Sequence, residues 1–385
     1  MRDPHAVVGH WKGEWDEPAL IEWAAGLRSH LAQPCVSVGL LFASQDFAAH
    51  APDLLEILRV HARIPLLVGS TSQQLVCNGE GTEGGLVLGL FHLPGARLEA
   101  HHLTLEQLRE SADVASPAIT MRPPDLKGWI VFADPSDLDG DQWMRSWNEV
   151  WHGITTVGGI TTKGPLFLNG SVIESGAVAL AIGGQVGIEA VVSQGCTPIG
   201  QPWTITRAEW NFIHTIANKP AYQVLVDTFN SLPMEEREGS QGNLFVGLAG
   251  TEYQDEFGRG DFLVRNLVGA DPRQGILAVG ALPRAGQTIQ FQRRDPAAAT
   301  KDLGRLLARA RMQLADRSIY GGMLCCCSGR GARMFGRSNP DSGLIQEHLG
   351  PLPLVGFFAN GEIGPTGHQT FLHAYTAALA LFVSA

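Results

Sequence analysis

Two stretches of this chain, "NGEGTEGGLVLGL" from Asn78 and "NGSVIESGAVALA" from Asn169, superimpose without a gap, so that Asn78, Gly79, Glu83 and Gly85 fall on Asn169, Gly170, Glu174 and Gly176. The match returns further on, with "LEAHHL" (98–103) on "IEAVVS" (188–193). Self-similarity constrains a fold strongly, because like stretches build like supersecondary units whose apolar faces need one another for cover.

Each copy has the same internal order. In the first (36–103), "VSVGLLFA" reads as a strand, and "APDLLEILRVHAR" as a helix with Leu54, Leu55, Ile57, Leu58 and His61 on one face. "IPLLVG" and "GGLVLGLF" then read as two strands joined across a turn that contains Asn78-Gly79. The second copy (128–193) repeats this with "GWIVFA", a helix carrying Trp143, Met144, Trp147, Val150 and Trp151 on one face, "TTVGG", Asn169-Gly170 and "SGAVALAI". A looser third copy closes the chain, with "GGMLCCC" as first strand, "SGLIQEHLG" as helix, "PLVGFFANGEIGP" as second strand and turn, and "FLHAYTAALALF" as the last apolar segment. Residues 203–230 read as helical and connecting, 262–295 as three strands with an Asp-Pro turn, and 296–315 as a helix. The expected fold is α/β: duplicated strand-helix-strand units forming mixed sheets flanked by helices, in two closely packed domains. The expected boundaries are an N-terminal extension (1–32), a domain over 33–202 and a domain over 203–385.

Composition narrows the function. With 44% hydrophobic and 17% charged residues the chain can fill a sizeable core. A net charge of −10 without a basic stripe argues against a nucleic-acid surface. No secretory leader and no membrane span is read, and the six cysteines lack a disulfide spacing, so a cytoplasmic setting is expected. No phosphate loop, dinucleotide fingerprint or nucleophile elbow appears, and no cofactor is expected.

The candidate site centres on "CCCSGRGARMFG". Adjacent strand cysteines point to alternate faces and cannot share one metal, so no metal is expected and Cys325 and Cys326 read as small apolar filling. Cys327, at the strand end, reads as a pocket wall. Beside Ser328, Arg330 offers a planar fork suited to a ligand carboxylate. In "ANGEIGP", Asn360 offers a donor and an acceptor, and Glu362 a carboxylate for an amino group. Arg265 and Asn266, polar residues between apolar strand residues, complete the candidate wall. Asn78 and Asn169, with "GSTS" and "GGITT", are candidates for a second pocket, and the tryptophan stripe reads as core.

These stretches resemble the FIST family, a two-part sensory domain of prokaryotic signalling proteins and of an F-box ubiquitin-ligase subunit. The resemblance runs from about residue 33 to 375, with "FLVRNLVGADPRQGILAVG", "CSGRGARMFG", "PLVGFFANGEIGP" and "VVSQGCTPIG" its most specific stretches. It aligns Cys327 with the cysteine of the family's cysteine-x-glycine-arginine-glycine pattern. It implies small-ligand binding, with amino acids the suggested ligand class, an unidentified downstream signalling partner and no established catalytic mechanism. No output module of the multi-domain members is expected here. The alternatives are a thiol enzyme using Cys327 as nucleophile and a protein-interaction scaffold.

Overall fold

The computed structural model describes residues 4–104, 106–107, 123–136, 140–162, 164–240, 242–252, 256–336 and 339–385. The chain forms a mixed α/β fold in two compact units, one of Met1–Val192, Leu303–Leu372 and Thr376–Ala385, the other of Ser193–Asp302 and His373–Tyr375. No described helix is long and apolar enough to cross a membrane.

The first unit contains three six-stranded mixed sheets of one plan. In each, two parallel strands lie side by side: Val38–Ala43 with Leu67–Thr71, Leu126–Ala133 with Thr155–Ile160, and Ile319–Cys327 with Leu354–Ala359. A helix follows the first strand of each pair, at Ala51–His61, Gly140–Trp151 and Pro340–Leu349, and supplies the crossover that parallel strands require. Closing strands Leu86–Phe91, Ala177–Gly184 and Thr376–Ser384 pair antiparallel to the first strands. Outside them run Ala6–Trp11, Ala96–Leu103 and Val186–Gln194. The match of "LEAHHL" with "IEAVVS" is therefore a match of edge strands.

The far edge of each parallel pair is covered by a hairpin from another copy. The hairpin of Gln74–Cys77 and Glu80–Glu83 leaves the first sheet, and its first strand pairs with Leu354–Ala359 of the third. The hairpin of Leu166–Leu168 and Ser171–Ile173 leaves the second, and its first strand pairs with Leu67–Thr71 of the first. Gly361–Thr366, followed by Gln369–His373, pairs with Thr155–Ile160 of the second. This exchange occupies an edge that would otherwise offer unpaired N–H and C=O groups. It also corrects the expected turn: Asn78-Gly79 and Asn169-Gly170 are tips of separate hairpins, and do not join the second strand to the closing one.

Each parallel pair demands one glycine. A Cβ on Gly69, Gly158 or Gly356 would lie 1.8, 1.8 and 1.9 Å from the carbonyl oxygens of Leu41, Val131 and Leu324 on the neighbouring strand. These pairs set the alignment of the three sheets. One residue on, Phe42 lies opposite Ser70 and Phe132 opposite Gly159, whereas Cys325 lies opposite Phe357. The large residue has changed strands in the third sheet, and Cys325 leaves room for it. Phe42, Phe132 and Phe357 meet with ring centroids 4.8 to 5.8 Å apart in a core drawn from all three sheets. Cys325 and Cys326 are fully buried, as filling residues should be.

Helices cover the outer faces. Trp143, Trp147 and Trp151 pack on Val131 and Trp129 of the second sheet, and the Trp147 indole N–H donates to Thr156 Oγ1 at 3.0 Å. Glu17–His30 joins Ala51–His61 over the first sheet, and Pro296–Gln313 joins Pro340–Leu349 over the third. Within the expected extension, Ala6–Trp11 supplies an edge strand and Glu17–His30 a covering helix of the first sheet. No boundary falls at 202/203, because the third copy's strands pair with hairpin and edge strands of the first two. Sequence order is a poor guide to units when pairing is this non-local.

The second unit is antiparallel. Cys196–Glu209 pairs with Thr288–Arg294 on one side and Phe212–Ile216 on the other, and Leu244–Ala249, Phe262–Asp271 and Ile276–Val279 complete a closed circuit. The three strands expected over 262–295 are present, but 203–209 and 212–216 are strands joined by a turn, and the helix begins only at Ala221. Helix and circuit share a core of Ile205, Ile213, Ala221, Val224, Leu277 and Phe291.

Candidate functional site

The described side chains with the most unusual environments stand where the third sheet's parallel strands end. The carboxyl ends of such strands are where open α/β sheets place ligands. Cys327 closes the first strand at 9% exposure, and its Sγ accepts the Gly329 N–H at 3.4 Å, starting the tight turn Ser328–Arg330. Ser328 and Asn360, one residue past the paired Cys327 and Ala359, are exposed. The Asn360 N–H donates to Ile160 O at 2.8 Å, which ties the strand end to the second sheet.

Arg330 is wholly buried, and its fork is filled from within. Nε and Nη2 donate to the two oxygens of Asp341, each at 2.8 Å, and the guanidinium lies 5.6 Å from the Phe335 ring centre. Burial works against the Arg330 charge, but Asp341 more than restores it and holds the group well above its ordinary range. This corrects the expectation that Arg330 grips a ligand carboxylate directly. Asp341 sits in the first turn of Pro340–Leu349, which Asn339 caps by accepting the Ser342 N–H at 3.2 Å. Sequence reasoning missed Asp341, although the Asn-Pro-Asp start of a helix was there to be read. Cys326 lies 3.9 Å from both Asn339 Oδ1 and Asp341 Oδ2, and its thiol is pushed well up by burial and then by Asp341.

Glu362 departs furthest from expectation. It pairs with Gly159 on the exchanged hairpin, where the other two hairpins place Leu166 opposite Ser70 and Leu75 opposite Phe357. All three are fully buried. Gly361 already belongs to the strand, so "ANGEIGP" is no hairpin turn; the tip lies beyond it, at Gly367-His368. Oε2 accepts the Thr376 N–H at 3.1 Å, and Oε1 is buried without a hydrogen-bond partner among the described residues. Burial drives the Glu362 carboxyl well above its usual range, against the pull of the Thr376 N–H, the Arg330 charge and the Cys327 thiol. Burial therefore favours the protonated form of Glu362, which can donate a hydrogen bond, over the carboxylate that an ammonium group would need.

The structure therefore brings Cys327, Arg330 and Glu362 together, with Ser328 and Asn360 at the exposed rim. Arg265 and Asn266 belong to the second unit: Arg265 is 7% exposed with Nη1 donating to Val264 O, and Asn266 Oδ1 accepts from the Tyr375 hydroxyl at 2.7 Å. Asn78 and Asn169 are hairpin clamps. Each bonds Leu354 or Leu67 through both its own N–H, at 2.7 Å, and its side-chain oxygen, at 3.3 and 3.1 Å.

Residues 37–219 match the FIST N domain and residues 221–365 the FIST C domain, together nearly the whole chain. The chain belongs to the FIST family. FIST domains are associated with small-ligand sensing in signal transduction. An uncharacterised protein of Mycobacterium tuberculosis is 33% identical over 95% of this chain and 96% of its own length. One of Mycobacterium bovis is 33% identical over 95% of each. A solved structure titled "Cyanuric acid hydrolase: evolutionary innovation by structural concatenation" aligns with 99% of this FIST chain and 100% of that chain at 12% identity and a TM-score of 0.32, too slight a likeness to bear on chemistry.

Proposed function

We propose that this FIST protein is a cytoplasmic sensor for a small ligand, an amino acid or another small carboxylate, and that it passes the signal to a protein partner. The ligand sits at the strand ends of the third sheet. Ser328 and Asn360 contact it there, Cys327 forms the wall, and Glu362 lies behind that wall. The observation that carries this reading is the buried acid, its carboxyl pushed up by burial, at a position that is leucine on the other two hairpins, beside Cys327 at the strand end. A buried polar group offers no gain in packing over leucine, so its presence calls for a use. In this reading the Asp341-held Arg330 adds positive field behind the ligand carboxylate and fixes the turn, while the Ser328 hydroxyl and the Asn360 amide donate to it. The thiol-enzyme reading has less support, since burial pushes the neighbouring Cys325 and Cys326 thiols up, away from reactivity.

Isothermal titration of the intact chain against the proteinogenic amino acids and small dicarboxylates tests the proposal. Saturable binding of one of them, weakened about tenfold by Asn360→Ala or Ser328→Ala, is the expected result, as for loss of one hydrogen bond to a charged group. If no member of the panel binds, or both variants bind as the wild type does, the assignment falls.

A further inference from the structure

The second unit presents an apolar recess edged by acid. Along Phe212–Ile216 and Ile276–Val279, Ile213, Leu277 and Val279 point into the core and are essentially inaccessible. By strand alternation, Phe212, Ile276 and Ala278 point the other way. They line a cavity of about 610 Å³. Its wall is completed by Gly269, just past a bulge in Phe262–Asp271, where an added Cβ would meet nothing within 4 Å.

Three features give the recess a chemical sense. Its lining contains the carboxylates of Glu209 and Asp271 and no lysine or arginine. Asp271 Oδ1 accepts the N–H groups of Arg273 and Gln274 at 2.8 and 3.1 Å, which fixes that carboxylate in place, and Glu209 lies 3.9 Å from the His214 ring. At the rim stands Trp210, 78% exposed. It is the first residue of the two-residue turn between the paired Glu209 and Phe212, with φ at +53°. Hairpin turns favour glycine or asparagine at such a position, and an L side chain there is strained. The turn gains nothing from an indole, so the residue is better explained by what an aromatic face beside carboxylates can bind.

We propose that this recess is a second ligand site, distinct from the strand ends of the third sheet, and that it takes a small organic cation with an apolar or aromatic body, such as a primary or quaternary amine. The apolar part fills the space over Ile276 and Ala278. The cationic head lies against the Trp210 face, where the ring quadrupole attracts it, within reach of Glu209 and Asp271.

Phenethylamine, titrated calorimetrically into the intact chain, is a suitable probe, with hydrocinnamate as the anionic analogue of like shape. The amine is expected to bind saturably and the anion not at all. Glu209→Gln and Trp210→Gly should each weaken amine binding about tenfold. Trp210→Gly should do so while melting no lower than the wild type, which a merely structural tryptophan would not allow. Gly269→Leu, whose side chain has room to enter the cavity, should abolish binding in a folded protein. Equal binding of the anion, or wild-type amine affinity in both Trp210→Gly and Gly269→Leu, would overturn the proposal.

Discussion

The first and third sheets share a plan and differ in what they bury beside their parallel strands. In the first sheet Phe42 lies opposite Ser70, and the incoming hairpin contributes Leu166. In the third, Cys325 lies opposite Phe357, and its own outgoing hairpin carries Glu362 where leucine stands on the others. The first sheet ends at Ser44, whose hydroxyl bonds Asp46, and the third at Cys327, between a buried ion pair and a buried acid. One scaffold can thus bury hydroxyls beside its parallel strands in the first sheet and an ion pair and an acid in the third, because the same glycine contacts and hairpin exchange hold both.

The ion pair should be the most costly difference to disturb. Asp341→Ala leaves the wholly buried Arg330 charge without its partner and should lower unfolding free energy by about 3–5 kcal/mol, read by urea denaturation. A loss of under about 1 kcal/mol, the scale of an exposed pair, would mean that Arg330 reaches solvent when its partner is removed.

The volume reversal predicts rescue. Phe357→Ser alone should cost about 3–5 kcal/mol, as emptying an aromatic site does. Adding Cys325→Phe, which recreates the first sheet's pairing, should recover about 0.5–3 kcal/mol in a double-mutant cycle. Additive effects would show that the two positions do not share one space. Gly356→Ala, which drives a Cβ into Leu324 O, should cost about 1–3 kcal/mol or more, and Gly69→Ala should match it if the two sheets are held alike.

The smallest change is also the most diagnostic. Glu362→Leu, which restores the residue type of the other hairpins, should leave stability at pH 7 unchanged or raise it by about 1–2 kcal/mol, while removing the ligand response. Glu362 titrates above its unfolded value because burial disfavours the charge. Its proton is held more tightly folded than unfolded, so stability is fullest below the ordinary glutamate range and declines as pH rises through the folded value. Glu362→Gln should flatten that decline in melting temperature from about pH 4 upward. An unaltered pH profile would mean that the carboxyl ionises freely in the folded protein.

Much of the scaffold was legible. The strand-helix-strand order of each copy showed in local periodicity, and Trp143, Trp147 and Trp151 fell in the core, as large aromatics at helical spacing do. The hairpin exchange was not legible, because the strand Gln74–Cys77 finds its partner only at Leu354–Ala359 and nothing local marks the destination. For the same reason Asn78 looked like the turn of its own copy. At the site, Cys327, Arg330 and Glu362 were legible as polar or reactive residues after strand ends, but their partners were not: Asp341 lies on another element from Arg330, and only tertiary burial raises the Glu362 carboxyl.

The sequence alone determined that this chain repeats a strand-helix-strand unit and belongs with the FIST proteins. Those properties are written in local spacing and motif. The tertiary structure decided which copy covers which edge, that Ala6–Trp11 is an edge strand of the first sheet, and that the fork of Arg330 is spent on Asp341. Pairing and desolvation depend on neighbours hundreds of residues away, and they set the charge of a buried group only once those neighbours have arrived.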